Sequence, residues 1–161
     1  MKKEQQSLAY AAVIFDLDGT LVDTIPLWIQ AYLSTLEKHG IPMSKEDFLE
    51  NVYTKNISLF SVLEKGGMTK DQYQSFRDDR DAQYCEYLRS AKPLWIDGAK
   101  EVLLQVKESY PIGILTGSWS WYVDAIDENI GIRSIVQTIV TCDDTQGFSK
   151  PHPHGLFLCT D

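Results

Sequence analysis

The sequence predicts an α/β protein, a doubly wound parallel sheet interrupted after its first strand by an all-helical insert. Three observations predict it. Short apolar runs that end abruptly in polar or turn residues lie at 11–15, 111–115 and 134–141. Helical periodicity separates the last two runs, and strands alternating with helices imply parallel pairing. Between the first and second runs, residues 24–90 carry helical patterning alone.

Residues 11–15 (AAVIF) are apolar and partly β-branched, and Asp16, Leu17, Asp18 and Gly19 follow at once, the pattern of a buried strand entering a turn. From Thr24 the period becomes helical: Ile25, Trp28, Tyr32 and Leu36 form one stripe, stopped by Gly40 and Pro42. Ser44 opens a second helix with Asp47 in capping-box position, and a short third helix is expected over 58–64, ahead of Gly66 and Gly67. Thr69 and Gln72 form a further capping box for a longer helix over 70–89. On that helix Asp78, Asp79 and Asp81 read as a solvated face and Cys85 as packing. The pattern changes at Lys92 and Pro93, which sets the helical insert at 24–92 and the sheet domain at 1–23 with 93–161. The sheet domain then continues with a helix over 98–108, with Val102, Leu103 and Val106 on one face, and a buried strand over 111–115. A helix over 121–130 closed by Gly131 follows, then a strand over 134–141, a loop over 143–150 and the first turns of a helix over 151–161.

A chain of 161 residues has room for one domain with a modest insert and a core that needs no disulfide staples. The net charge is −8, and it divides unevenly: residues 24–92 carry 9 bases and 10 acids, the remainder 6 and 13. The acidity belongs to the sheet domain. It argues against nucleic acid and against an anionic membrane surface as partners. It leaves a small phosphorylated substrate open, because a metal ion can supply positive charge. No apolar run approaches the ~20 residues of a membrane span. Cys85, Cys142 and Cys159 fit neither a disulfide framework nor a zinc spacing, so the cytoplasm is the expected compartment. Residues 8–15 follow two lysines but stop at Asp16 with no cleavage pattern, and read as a strand rather than a signal peptide. The oligomeric state is left open.

The chemistry gathers at the strand ends. Asp16, Asp18 and Thr20 follow the first run, Thr116 and Ser118 the second, and Lys150 lies in the loop after the third. Ligands of open parallel sheets bind outside the carboxyl ends of the strands, so one crevice collects two carboxylates, several hydroxyls and an ammonium. Carboxylates at i and i+2 on a tight turn repel unless a proton or cation intervenes. Mg²⁺ takes oxygen ligands and is content with one or two carboxylates plus phosphate and water. Gly19 admits a phosphoryl group close to the backbone, Thr116 and Ser118 can donate to its oxygens, Lys150 can offset developing charge, and a carboxylate can serve as nucleophile. His152 and His154 read as loop polarity, and Trp119, Trp121 and Tyr122 as packing or a pocket lining.

This arrangement resembles the haloacid dehalogenase superfamily, in its phosphatase branch with a helical cap, similar to the phosphoglycolate phosphatases and β-phosphoglucomutases. Asp16, Leu17, Asp18, Gly19, Thr20, Leu21, Val22, Asp23 and Thr24 look like that family's first motif. Leu115, Thr116, Gly117 and Ser118 match the second, and Lys150, Pro151, His152 and Pro153 the third. The resemblance implies a Rossmann-like core with 24–92 as its cap. It implies Asp16 as nucleophile, Asp18 as general acid/base, Thr116 as phosphoryl-binding residue and Lys150 as the group that steadies an aspartyl-phosphate. Gly19, Thr20, Gly117 and Ser118 become phosphate or substrate contacts, and Asp16 and Asp18 hold Mg²⁺. The implied function is a Mg²⁺-dependent phosphatase acting on a small phosphorylated metabolite. A phosphomutase keeps the same site but returns the phosphoryl group to a sugar; Gly19 and Thr20 favour hydrolysis. The family's fourth motif, a further strand ending in Gly-Asp or Glu-Asp, completes the metal site. The chain ends eleven residues after Lys150, and Asp161, Asp143 and Asp144 do not fit that motif. The expectation is a chain truncated before the fourth motif, whose strand would lie beside the first, and a non-catalytic remnant is the third reading.

Overall fold

Three short strands make the sheet of the computed structural model, which describes residues 12–160 except 56 and 93. They are β1 (Val13–Phe15), β2 (Ile112–Leu115) and β3 (Thr138–Val140), in the order β1-β2-β3 and parallel throughout. Ile14 stands opposite Gly113, and Ile114 opposite Ile139, so all three carboxyl ends face one side. The expectations for 1–11, Asn56, Pro93 and Asp161 lie outside the described residues.

The chain divides into two compact units, one of 1–23 with 92–161 and the other of 24–91. In the second, α1 (Ile25–Lys38) leads through the single turn α2 (Lys45–Asp47) and a π-helical segment (Phe48–Thr54) to α3 (Leu59–Glu64) and the long α4 (Lys70–Ser90). Ser44 and Thr69 cap α2 and α4 from their side chains as the pattern predicts, the latter in a full capping box with Gln72. The π-helical stretch is a departure from the α-helix expected there. The Asn51 side chain donates to the Asp47 carbonyl at 3.0 Å, competing for an acceptor that a regular α-turn reserves for a backbone N–H. Tyr32, Leu36, Phe48, Leu59, Leu63 and Phe76 form this unit's own core. Arg80 is buried in it: Nη1 donates to the Tyr32 hydroxyl, and the guanidinium lies 4.5 Å from the Tyr32 ring centre. Burial raises the Tyr32 phenol above its ordinary pKa, and the Arg80 charge opposes part of that rise.

In the sheet unit, α5 (Ala99–Lys107) precedes β2, α6 (Ser120–Ile130) follows it, and α7 (His154–Thr160) follows β3. Gly131 ends α6 in the left-handed conformation (φ 66°) that glycine tolerates best. Three expectations shift. β3 is shorter than 134–141, because Ile132–Ser134 is a 3₁₀ turn in which Ser134 Oγ donates back to the Gly131 carbonyl. β1 is half-buried rather than buried: it stands at one end of the strand order, with β2 as its one partner among the described residues. On α5, Leu103 is buried but Val102 is 47% exposed, so the apolar face is narrower than its periodicity suggests.

Candidate active site

Asp16 and Asp18 follow β1 in a tight turn held by its own backbone. The Leu17 carbonyl accepts N–H groups from Thr20, Leu21 and Val22, and Gly19, at φ 73°, donates to the Val22 carbonyl at 2.8 Å. A side chain at Gly19 would strain this left-handed position. Val22 in turn bridges to Asp18 and to Trp95, and Asp23 N–H donates to the Leu94 carbonyl at 2.9 Å, so the turn is anchored on the returning chain.

Two clusters of polar groups meet there. Lys150 Nζ forms an ion pair with Asp16 Oδ1, and the same ammonium reaches the Leu115 carbonyl at 3.3 Å. Thr20 Oγ1 donates to Asp16 Oδ2 at 3.2 Å. The second aspartate is served from the end of β2: Thr116 Oγ1 donates to Asp18 Oδ2 at 3.0 Å and Ser118 Oγ donates to the same oxygen at 2.8 Å. Thr116 is 2% exposed, whereas the Asp16 and Lys150 side chains are 42% and 43% exposed, so the crevice has a buried wall and an open mouth. Asp16, Asp18, Thr20, Thr116, Ser118 and Lys150 therefore come together from three strand ends. Gly19 forms the turn beneath them. At Gly117 a Cβ would meet nothing within 4 Å, so its backbone faces open space.

The walls are set by β3 and its loop. Thr116 N–H donates to the Val140 carbonyl at 3.0 Å, and Cys142 N–H to the Ser118 carbonyl at 2.9 Å. Asp143 Oδ2 accepts the Ser120 N–H at 2.7 Å, capping a helix whose own N-cap residue, Trp119, offers no side-chain acceptor. Asp144 Oδ2 accepts the Thr141 N–H and hydroxyl, both at 2.7 Å. Asp144 thus braces the β3 loop, and Asp143 ties that loop to the start of α6. The roles of Ser118 toward Asp18 and of Asp143 toward α6 carry no sequence signal, since each joins residues far apart in the chain. A cavity of about 60 Å³ lies behind Thr116 and Lys150, lined also by Cys142, Thr145 and Phe148. His152 and His154 pack around the Phe148 ring at 4.5 and 5.2 Å between ring centres.

The donors at Asp16 and Asp18 are carboxylate oxygens, the type a hard divalent cation prefers. Among the described residues no group of three or more His, Cys, Asp or Glu side chains is placed to hold a metal ion. Nor, among them, is any helix long and apolar enough to cross a membrane.

The family model for haloacid dehalogenase-like hydrolases matches residues 13–160. The chain belongs to that family. It is 32% identical over 153 residues to the pyrophosphatase PpaX of Bacillus velezensis, a match covering 91% of this chain and 66% of that protein. It is 28% identical over 156 residues to the fructose-1-phosphate phosphatase YqaB of Escherichia coli, covering 93% of this chain and 78% of that one. The haloacid dehalogenase-like fold is also that of a predicted phosphoglycolate phosphatase from Haemophilus somnus, whose crystal structure matches with a TM-score of 0.77 at 21% identity, over 92% of this chain and 69% of that one. The chain spans about two thirds of the length of the PpaX relative. The α/β class and the parallel sheet read from the sequence agree with this membership.

Proposed function

We propose that the protein is a phosphomonoester hydrolase that acts on a small phosphorylated metabolite through an aspartyl-phosphate on Asp16, with Mg²⁺ as cofactor. One observation carries the reading: an aspartate paired with a lysine, beside a second aspartate held by two hydroxyls, at the carboxyl ends of parallel strands. Kinship with enzymes named as phosphatases supports it.

In the forward half-reaction an Asp16 carboxylate oxygen forms a bond to phosphorus. The bond from phosphorus to the ester oxygen breaks, and the Asp18 carboxyl gives its proton to that leaving oxygen. In the second half a water oxygen bonds to phosphorus, the phosphorus–Asp16 bond breaks, and Asp18 takes the water proton back. Lys150 holds the attacking carboxylate and offsets charge on the phosphoryl oxygens. The Thr116 and Thr20 hydroxyls and the open backbone at Gly117 supply donors around those oxygens, and the turn at Gly19 lets them approach. Asp16 would hold Mg²⁺ through its carboxylate, with Asp18 beside it, and the cation when bound would neutralise negative charge on that carboxylate and on the phosphoryl group.

Release of p-nitrophenol from its phosphate ester, with and without Mg²⁺, tests the reading. Asp16→Asn keeps the shape but not the nucleophile, and is expected to lower turnover by about 1,000-fold or more while leaving the melting midpoint nearly unchanged. Acid quench, borohydride reduction of the acyl phosphate and peptide mapping should find the modified residue at Asp16. Modification elsewhere, or full activity in Asp16→Asn, would overturn the mechanism.

A further inference from the structure

We propose that Ser118 is a positioning residue for Asp18, holding its carboxyl group through the reaction cycle and so governing proton delivery to the leaving oxygen. The inference rests on the phosphatase reading above, and it assigns Ser118 to the acid/base rather than to the phosphoryl group.

Two hydroxyls from one three-residue turn converge on a single oxygen, Asp18 Oδ2, Thr116 at 3.0 Å and Ser118 at 2.8 Å. They are not equivalent. Thr116 Oγ1 also accepts the Ser118 N–H at 3.0 Å, and Thr116 is the residue proposed to meet the phosphoryl group. When its proton turns to a phosphoryl oxygen, Ser118 is the donor of the pair that stays on Asp18. Ser118 is itself pinned: its carbonyl accepts the Cys142 N–H at 2.9 Å, and the adjoining helix start is tied to Asp143 at 2.7 Å. Ser118 thereby fixes where the Asp18 carboxyl group stands while it gives and takes the proton, and loses none of its own. Holding an acid within hydrogen-bond reach is what converts its chemistry into rate.

The test compares the whole chain with Ser118→Ala and Ser118→Thr on two esters, p-nitrophenyl phosphate and glycerol phosphate. The aryl leaving group departs with little proton assistance; the alkoxide needs it. Ser118→Ala should lower kcat on glycerol phosphate on the order of 10- to 100-fold, a part of what general acid catalysis contributes, and on the aryl ester by no more than about threefold. KM should move little, and Ser118→Thr should restore most of the alkyl-ester rate. Equal losses on both esters, or a rise in KM at constant kcat, would make Ser118 a structural or phosphate-binding residue and overturn the proposal. A second measurement needs no turnover. In crystals of Thr116→Val without substrate, Ser118 should keep the Asp18 carboxylate where it lies; in Thr116→Val/Ser118→Ala the carboxylate should turn away. An unmoved carboxylate in the double variant refutes the assignment, whereas a wild-type chain inactive on both esters refutes the phosphatase reading instead.

Discussion

Asp79 joins two helices of the insert through its two oxygens: Lys38 Nζ, in the last turn of α1, lies 2.9 Å from Oδ1, and His39 Nε2 lies 2.8 Å from Oδ2. The hydrogen bond from Lys38, and after it that from His39, hold the carboxyl below its ordinary value of 3.8. Folded Asp79 therefore stays ionised at a pH where the unfolded chain has begun to take up a proton. Its contribution to stability is complete above about pH 5 and disappears as the pH falls through the unfolded and then the folded value. Asp79→Asn should consequently melt below the wild type at neutral pH, with a gap that narrows as the pH is lowered through and below the ordinary carboxyl value of 3.8. A gap constant across that range would mean that the contact is not ionic. The same residue marks what could not be read from the sequence. Charge runs on a helix usually face water, and Asp78, Asp79 and Asp81 read that way. Asp79 instead meets partners forty residues back, and Asp81 accepts from the buried Arg80 at 2.5 Å. By contrast Asp16, Asp18 and Thr116 were legible, because each stands in a local pattern of apolar strand and polar turn, and Lys150 because its loop follows the third apolar run. Their bonding partners were not, since the link from Ser118 to Asp18 spans 100 positions.

Close packing of α7 on β2 determines how steadily the site is held. A Cβ at Gly155 would lie 2.6 Å from Leu115 Cδ1 and 3.2 Å from Cδ2, and Leu115 is only 6% exposed. Leu115 also gives its carbonyl to Lys150 and precedes Thr116. Replacing a helical glycine by alanine ordinarily gains about 1 kcal/mol. Forcing a methyl group into a filled core costs about 1–3 kcal/mol. The second effect should win, so Gly155→Ala is expected to lower the urea midpoint, and Gly155→Val to lower it further. A stabilised Gly155→Ala would show that Leu115 moves aside freely. Elements with their own punctuation were the legible ones. Thr69 with Gln72 starts α4, Gly131 ends α6, and the abrupt stop of apolar residues ends β2. β3 and the π-helical segment were not, because a 3₁₀ turn shares β3's apolar pattern and a side-chain bond from Asn51 rewires an otherwise helical run.

The two units differ in what holds each together, and the chain's path suggests how separable they are. The path leaves the sheet unit after Asp23 and resumes at neighbouring positions, where Asp23 N–H donates to the Leu94 carbonyl at 2.9 Å and Ile96 N–H to the Leu21 carbonyl at 3.0 Å. The insert thus departs and returns at a single place, as an independently folding domain would. Residues 24–91 bury Tyr32, Leu36, Phe48, Leu59, Leu63 and Phe76 against one another. The hydrogen bonds that Arg80 donates to Tyr32 and Asp81 also lie within that span. The sheet unit has its own buried set in Leu103, Ile112, Ile114, Val123, Ile126 and Ile132. Helical bundles built on local contacts fold without long-range strand pairing, but a domain of this size is near the lower limit at which one core suffices. We therefore expect the excised segment 24–91 to be helical and to melt cooperatively, with a stability of only a few kcal/mol. Its near-ultraviolet signal should come from Trp28, whose ring lies 4.5 Å from that of Tyr32, and from the packed tyrosines such as Tyr84, and should vanish at the same temperature as the helical signal. Helical signal without a coincident near-ultraviolet transition would mean that the six core residues do not pack until the sheet unit is present, and that the insert is an appendage of the sheet rather than a domain.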